Sequence, residues 1–198
     1  MTPVLFLPGA AGRADFWQPV AARLPPQLPR RLLHWPGLGN EPHDASVNSL
    51  DDLVQLVLGE LREPADLVAQ SMGGAVALRV ALAAPRLVRR LVLVATSGGL
   101  PVADLGGADW RAGYRAAFPD AATWIAEPVP DLTPQLRHIR AATLLIWGDA
   151  DPISPVAVGE RLHDLLPDAS LHVIPGAEHD LAQTHAETVA KLIGRHLG

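Results

Sequence analysis

Six short apolar runs, each closed by a turn residue and separated from the next by a longer segment, constrain this chain more than any other feature. They are PVLFLP (3–8), RLLHW (31–35), DLVAQ (66–70), LVLVAT (91–96), TLLIWG (143–148) and LHVIP (171–175). Short, continuous and bounded, each reads as a buried strand. Between them lie DFWQPVAARL (15–24), SLDDLVQLVLGELR (49–62), SMGGAVALRVALAA (71–84), PVAVGERLHDLL (155–166) and HAETVAKLIGRHL (185–197), with apolar residues at helical spacing. Pro155 suits a first helical turn. Strands alternating with helices predict an α/β fold: a doubly wound, mostly parallel six-stranded sheet with helices on both faces.

One segment breaks this rhythm. Residues 97–140 hold GGLPVADLGG, then Trp110, Tyr114, Phe118 and Trp124, then EPVPDLTP. That is about one crossover's worth of extra chain, and it predicts a small cap-like insertion at about 97–140 within a single domain over 1–198. The length of 198 residues suits one domain with a substantial core.

Composition mainly excludes. With 48% hydrophobic and 19% charged residues the chain is globular. A formal charge of −5 argues against a nucleic-acid surface, and no arginine cluster opposes that reading. Arg30-Arg31 and Arg89-Arg90 sit beside strand-like runs, as solvated strand entries would. Cysteine is absent, so disulfides and thiolate metal sites are out. No H-x-x-x-H or H-E-x-x-H occurs, and no metal or other cofactor is expected. Pro8-Gly9 stops the first apolar stretch early, and no run reaches membrane-spanning length. A cytoplasmic protein with no signal peptide, no membrane partner and no nucleic-acid partner is the expectation.

The stretch LVAQSMGGAVAL (67–78) sets a serine between a strand-like and a helix-like run. In a parallel sheet that turn lies at the carboxyl edge, where such folds bind ligands. A serine in a very sharp turn projects its oxygen outward, and its neighbours must be small; Ala69 and Gly73, two residues to either side, meet that demand. A serine there is also an ordinary helix N-cap, and the turn alone leaves both readings open.

The pattern A-Q-S-M-G resembles the nucleophile elbow of the α/β-hydrolases, G-x-S-x-G, with Ala69 where the first glycine is usual. That family orders its triad Ser, acid, His. The resemblance supplies both partners in that order. Gly148, Asp151 and Pro155 fall on the family's acid turn after TLLI, and Gly176 and His179 fall on its G-x-x-H after the last strand. It implies Ser71 as nucleophile, His179 as base and Asp151 as acid. Asp149 is an alternative acid, or a brace of the turn. The family's oxyanion hole implies the backbone N–H groups of Ala10 and Met72, with Pro8-Gly9 where a His-Gly pair is usual. The glycine-rich PGAAG also suggests phosphate binding, but it lacks G-x-G-x-x-G and any P-loop Gly-Lys. The resemblance covers essentially the whole chain, from what the family calls its third strand onward.

What the resemblance implies is a serine hydrolase acting on a small to medium carboxylic ester through an acyl-enzyme. The alternatives are a C–C bond hydrolase or lyase using the same triad, and a non-catalytic ligand-binding protein on the same scaffold. Trp110, Tyr114, Phe118 and Trp124 are candidates for a substrate wall or for ordinary core. His34 ends a strand at the same edge and is a further pocket candidate. Arg111 and Arg115 lie one helical turn apart and read as a solvated face.

Overall fold

Period-two division of the strand side chains organises the structure, a computed structural model that describes residues 1–198. Along the chain come β1 (Val4–Leu7), a 3-10 turn at Ala14–Trp17 leading into α1 (Gln18–Ala21), β2 (Arg30–Leu32), α2 (Leu50–Glu60), β3 (Ala65–Gln70), α3 (Met72–Ala83) and β4 (Val88–Val94). After a long connection holding α4 (Arg111–Ala117) follow β5 (Ala142–Gly148), α5 (Val156–Leu165), β6 (Ala169–Ile174), α6 (Leu181–Thr184) and α7 (Ala186–Leu197). The six strands form one sheet in the order β2-β1-β3-β4-β5-β6, every pair parallel.

Leu5, Leu7, Leu67, Ala69, Leu91, Leu93, Leu145 and Trp147 face one layer, with α2, α3 and α5. Val4, Phe6, Val68, Val92, Val94, Leu144 and Ile146 face the other, with α1, α6 and α7. Both faces are apolar because both are covered, which is why the runs read as continuous and not alternating. No helix is long and apolar enough to cross a membrane.

Four expectations need adjustment. The helix expected over 15–24 splits into a 3-10 turn and the single turn of α1. Pro19 fits only a first turn, and Pro25-Pro26 disfavour further helix. The edge strand β2 ends at Leu32, three residues early. Strand β4 begins at Val88, so Arg89 and Arg90 lie inside it. Arg89 stays exposed, but its Nε and Nη2 also grip the buried Asp66 carboxylate at 2.9 and 2.5 Å. Finally, residues 97–140 are not a cover added to a separate crossover helix. Apart from α4 the segment forms only short 3-10 turns, and Leu100, Ile125, Leu132, Leu136 and Ile139 bury into the main core. One stretch thus makes the β4-to-β5 connection and also covers the carboxyl edge.

Candidate active site

Ser71 occupies the single residue between β3 and α3, at φ 52°, ψ −127°. Positive φ is strained for a residue with a Cβ and persists only where neighbours over-determine it. Here the Ser71 N–H donates to Val94 O at 3.0 Å, and its carbonyl accepts from Gly74 N at 2.9 Å and from the Thr96 hydroxyl at 2.5 Å. The small neighbours are required by contact. A Cβ on Gly73 would lie 2.9 Å from Leu7 O, and one on Gly74 would meet the Thr96 side chain. The Ser71 side chain caps no helix N–H, so the ordinary N-cap reading fails.

The loop after β5 carries Asp151, whose side chain is fully buried. Its Oδ1 accepts the N–H groups of Ile153 and Ser154 at 2.8 and 3.1 Å. Its Oδ2 lies 2.8 Å from His179 Nδ1, and His179 Nε2 lies 2.9 Å from Ser71 Oγ. A carboxylate only accepts, so Nδ1 carries the proton and the Nε2 lone pair faces the serine. Asp149 points elsewhere, accepting Gly176 N–H at 2.6 Å. The acid and histidine loops are further laced by Ala150 N–H to Ala177 O at 3.0 Å. Gly148 allows that approach, since a Cβ there would fall on the Ala177 backbone. The buried Gln70 amide donates to His179 O at 3.2 Å, steadying the histidine from the nucleophile's own strand.

The Ala10 and Met72 N–H groups find no acceptor within the chain, as donors awaiting a substrate oxygen would. The two loops around Ala10 interlock through glycine. A Cβ on Gly12, at φ +74°, would lie 2.8 Å from Leu38 O, and Gly39, at φ +57°, closes on the Ala11 backbone. Gly12 of PGAAG therefore serves a close loop contact, and Gly9 lets the same loop pass close to Gln70 and Ser71.

A cavity of about 590 Å³ opens over Ser71 and His179. Phe16, Ala108, Trp110, Tyr114, Ala117 and Ile153 supply its apolar wall. Trp110 and Tyr114 thus stand where a substrate wall would. Phe118 does not: it packs behind Tyr114, ring centroids 5.0 Å apart. Trp124 does not line the cavity either: it packs, partly buried, against the main core, its indole N–H buried without a partner. His34 is also outside the cavity, because β2 stops short and leaves its exposed ring 3.1 Å from Glu41. The charged groups at the opening are largely paired. Arg13 binds Asp15 through two hydrogen bonds, of 2.8 and 2.6 Å. Arg111 is held by Ala126 O and Asp109, both at 3.0 Å, and lies over the Trp110 ring.

Sequence reasoning passed over Thr96 and Ser154. The Ser154 hydroxyl donates to Thr96 O at 3.0 Å and accepts from the Trp147 indole at 3.2 Å, so the two residues join the acid loop to the elbow. The available signal was a polar residue ending an apolar strand, at the edge where Ser71 also sits.

With this geometry in hand, comparison with known proteins is specific. The model of the "Alpha/beta hydrolase family" matches residues 4–135. A pimeloyl-[acyl-carrier protein] methyl ester esterase of Neisseria meningitidis is 29% identical, over 96% of this chain and 91% of its own. That alignment runs to 234 positions, so the relative has residues with no counterpart here. A 2-hydroxy-6-oxononadienedioate/2-hydroxy-6-oxononatrienedioate hydrolase of Burkholderia vietnamiensis is 28% identical, over 94% of this chain and 82% of its own. Among solved structures, a meta-cleavage product hydrolase of Pseudomonas fluorescens superposes with a TM-score of 0.80 at 19% identity, covering 100% of this chain and 90% of the other, a likeness of fold.

Proposed function

The chain belongs to the alpha/beta hydrolase family, and within it we propose a serine hydrolase that cleaves small to medium neutral carboxylic esters through an acyl-enzyme. The observation that carries this reading is the continuous hydrogen-bonded chain Asp151–His179–Ser71, opening into an apolar cavity. Ser71 Oγ attacks the ester carbonyl as His179 Nε2 takes its proton. Asp151 holds the tautomer and stabilises the imidazolium, which then protonates the leaving alcohol. The Ala10 and Met72 N–H groups receive the oxyanion. Water, activated by the same histidine, releases the acid.

The second reading is C–C bond hydrolysis, favoured by the Burkholderia relative. That relative's substrate name denotes a dicarboxylate, which calls for cations along the cavity. Arg13, the arginine that lines this cavity, is tied to Asp15, and Arg111, which does not line it, is tied to Asp109, which supports the ester reading. The test is a panel of aryl esters of graded acyl length, run beside a vinylogous dicarboxylate diketone. Ester turnover with little or no diketone cleavage is expected. The opposite preference would replace the proposal with the second reading.

A further inference from the structure

Four consecutive carbonyls, from the last residue of β1 into the loop that follows, are each held by a different donor. The Trp17 indole N–H reaches Leu7 O at 2.9 Å and the Trp35 indole N–H reaches Pro8 O at 2.8 Å. Gly12 N–H reaches Gly9 O at 3.0 Å. The fourth donor, the Tyr114 hydroxyl, reaches Ala10 O at 2.9 Å, and it comes from α4 above the cavity.

The direction of that fourth bond is unambiguous. Gly39 N–H points at the same phenol oxygen from 2.8 Å and can only donate, so the oxygen accepts there. Its one proton is left for Ala10 O, which can only accept. The consequence falls on the Ala10 N–H. In a trans peptide the C=O and N–H lie in one plane and point in opposite directions, so the hold on Gly9 O aims the Ala10 N–H the opposite way. The bond from Tyr114 fixes the next plane, and with it the conformation of Ala10 itself.

We infer that Tyr114 is a positioning residue for the oxyanion hole: by fixing the peptide that follows the Ala10 N–H, its hydroxyl steadies the conformation of Ala10 and makes that donor's aim depend on the seating of α4. This rests on the reading of Ala10 as an oxyanion donor. The Tyr114 ring also lines the cavity and packs edge-on against Trp110, at 5.5 Å between centroids. A substrate that settles against those rings therefore presses on the helix that holds the hole. Burial pushes the phenol's pKa up, which keeps the proton available to donate.

Tyr114 is the chain's single tyrosine, so growth on 3,5-difluorotyrosine changes this residue alone. The readout is the second-order rate at which a small fluorophosphonate labels Ser71, because the phosphoryl oxygen occupies the oxyanion site whatever the natural substrate. Tyr114→Phe is expected to slow labelling about tenfold, less than outright loss of a donor, with the melting temperature within a few degrees. In the difluorotyrosine protein, fluorination lowers the phenol's pKa, and labelling should acquire a new basic limb that coincides with phenol ionisation followed by ¹⁹F NMR. If Tyr114→Phe fails to fold, the difluorotyrosine result decides alone. Labelling at wild-type rate in Tyr114→Phe, or ionisation of the fluorinated phenol without a change in rate, would overturn the inference while leaving the hydrolase reading standing. Absence of Ser71 labelling in wild type would overturn both.

Discussion

Asp149 accepts the N–H of Gly176 at 2.6 Å, closing the acid loop onto the loop that carries His179 three residues later. Asp151, two positions on, meets the imidazole itself at 2.8 Å. Two carboxylates on one turn therefore do different work. Asp151→Asn should lower kcat on the order of 10⁴-fold by favouring the wrong tautomer. Asp149→Asn weakens one charge-assisted bond and should cost roughly tenfold or less. Steady-state kinetics on both variants, with circular dichroism to verify folding, check this. A larger loss in folded Asp149→Asn would reverse the assignment.

Thr96→Val nearly preserves shape but removes the hydroxyl that donates to Ser71 O and accepts from Gly98 N–H. The unsatisfied buried groups should lower stability by about 1–3 kcal/mol. The elbow also loses one of the bonds that hold its strained φ, so kcat should fall as well. Urea denaturation measures the first effect; an unchanged midpoint and slope would contradict the strut described here.

His196 offers a test by pH, away from the chemistry. Its Nε2 donates to Ala142 O at 3.2 Å, and burial, aided by the nearby Arg90 charge, lowers its pKa. A histidine lowered on folding binds protons more readily in the unfolded chain. Stability is thus retained at neutral pH and declines as pH falls below the ordinary histidine value of about 6.5. His196→Gln can keep the bond to Ala142 without titrating. Its melting temperature should fall less than wild type's on acidification from pH ~7.5 to ~5.5. Parallel curves would contradict it.

The sheet and the sharp turn at Ser71 were legible in the sequence because each rests on a local constraint, whereas Asp151 and His179 followed only from the resemblance to the α/β-hydrolases. Continuous apolar runs report burial on both faces, and a serine flanked by Ala69 and Gly73 reports a turn too tight for larger side chains. The cover was less legible because its aromatics, close together in sequence, face different ways. Tyr114 faces the cavity, Phe118 lies behind it, and Trp124 packs against the core outside the cavity. His34 missed the cavity because the edge strand ends two residues before it. The hydroxyl bonds of Thr96, Ser154 and Tyr114 join residues 25 to 104 positions apart and leave no periodic trace.

For the substrate, each added methylene buried in the cavity is worth about 0.8 kcal/mol. Catalytic efficiency, kcat/KM, should therefore climb a few-fold per carbon from acetate, then fall once the acyl chain outgrows a cavity of about 590 Å³. Arg111→Ala should leave the preference for neutral over anionic esters within about twofold, since a partly exposed, already paired charge outside the cavity lining contributes little. A maximum at long-chain triglycerides, or a preference for anionic esters that Arg111→Ala abolishes, would contradict the cavity reading.

The role of Ser71 is the claim on which the rest depends. Intact-mass and peptide mass spectrometry of the protein treated with a fluorophosphonate should find one adduct per chain, on Ser71. Ser71→Ala should fold, take up no label, and lose turnover by as much as a millionfold, as removal of a triad nucleophile does elsewhere. An adduct on another residue, or ester hydrolysis that survives in Ser71→Ala, would contradict it.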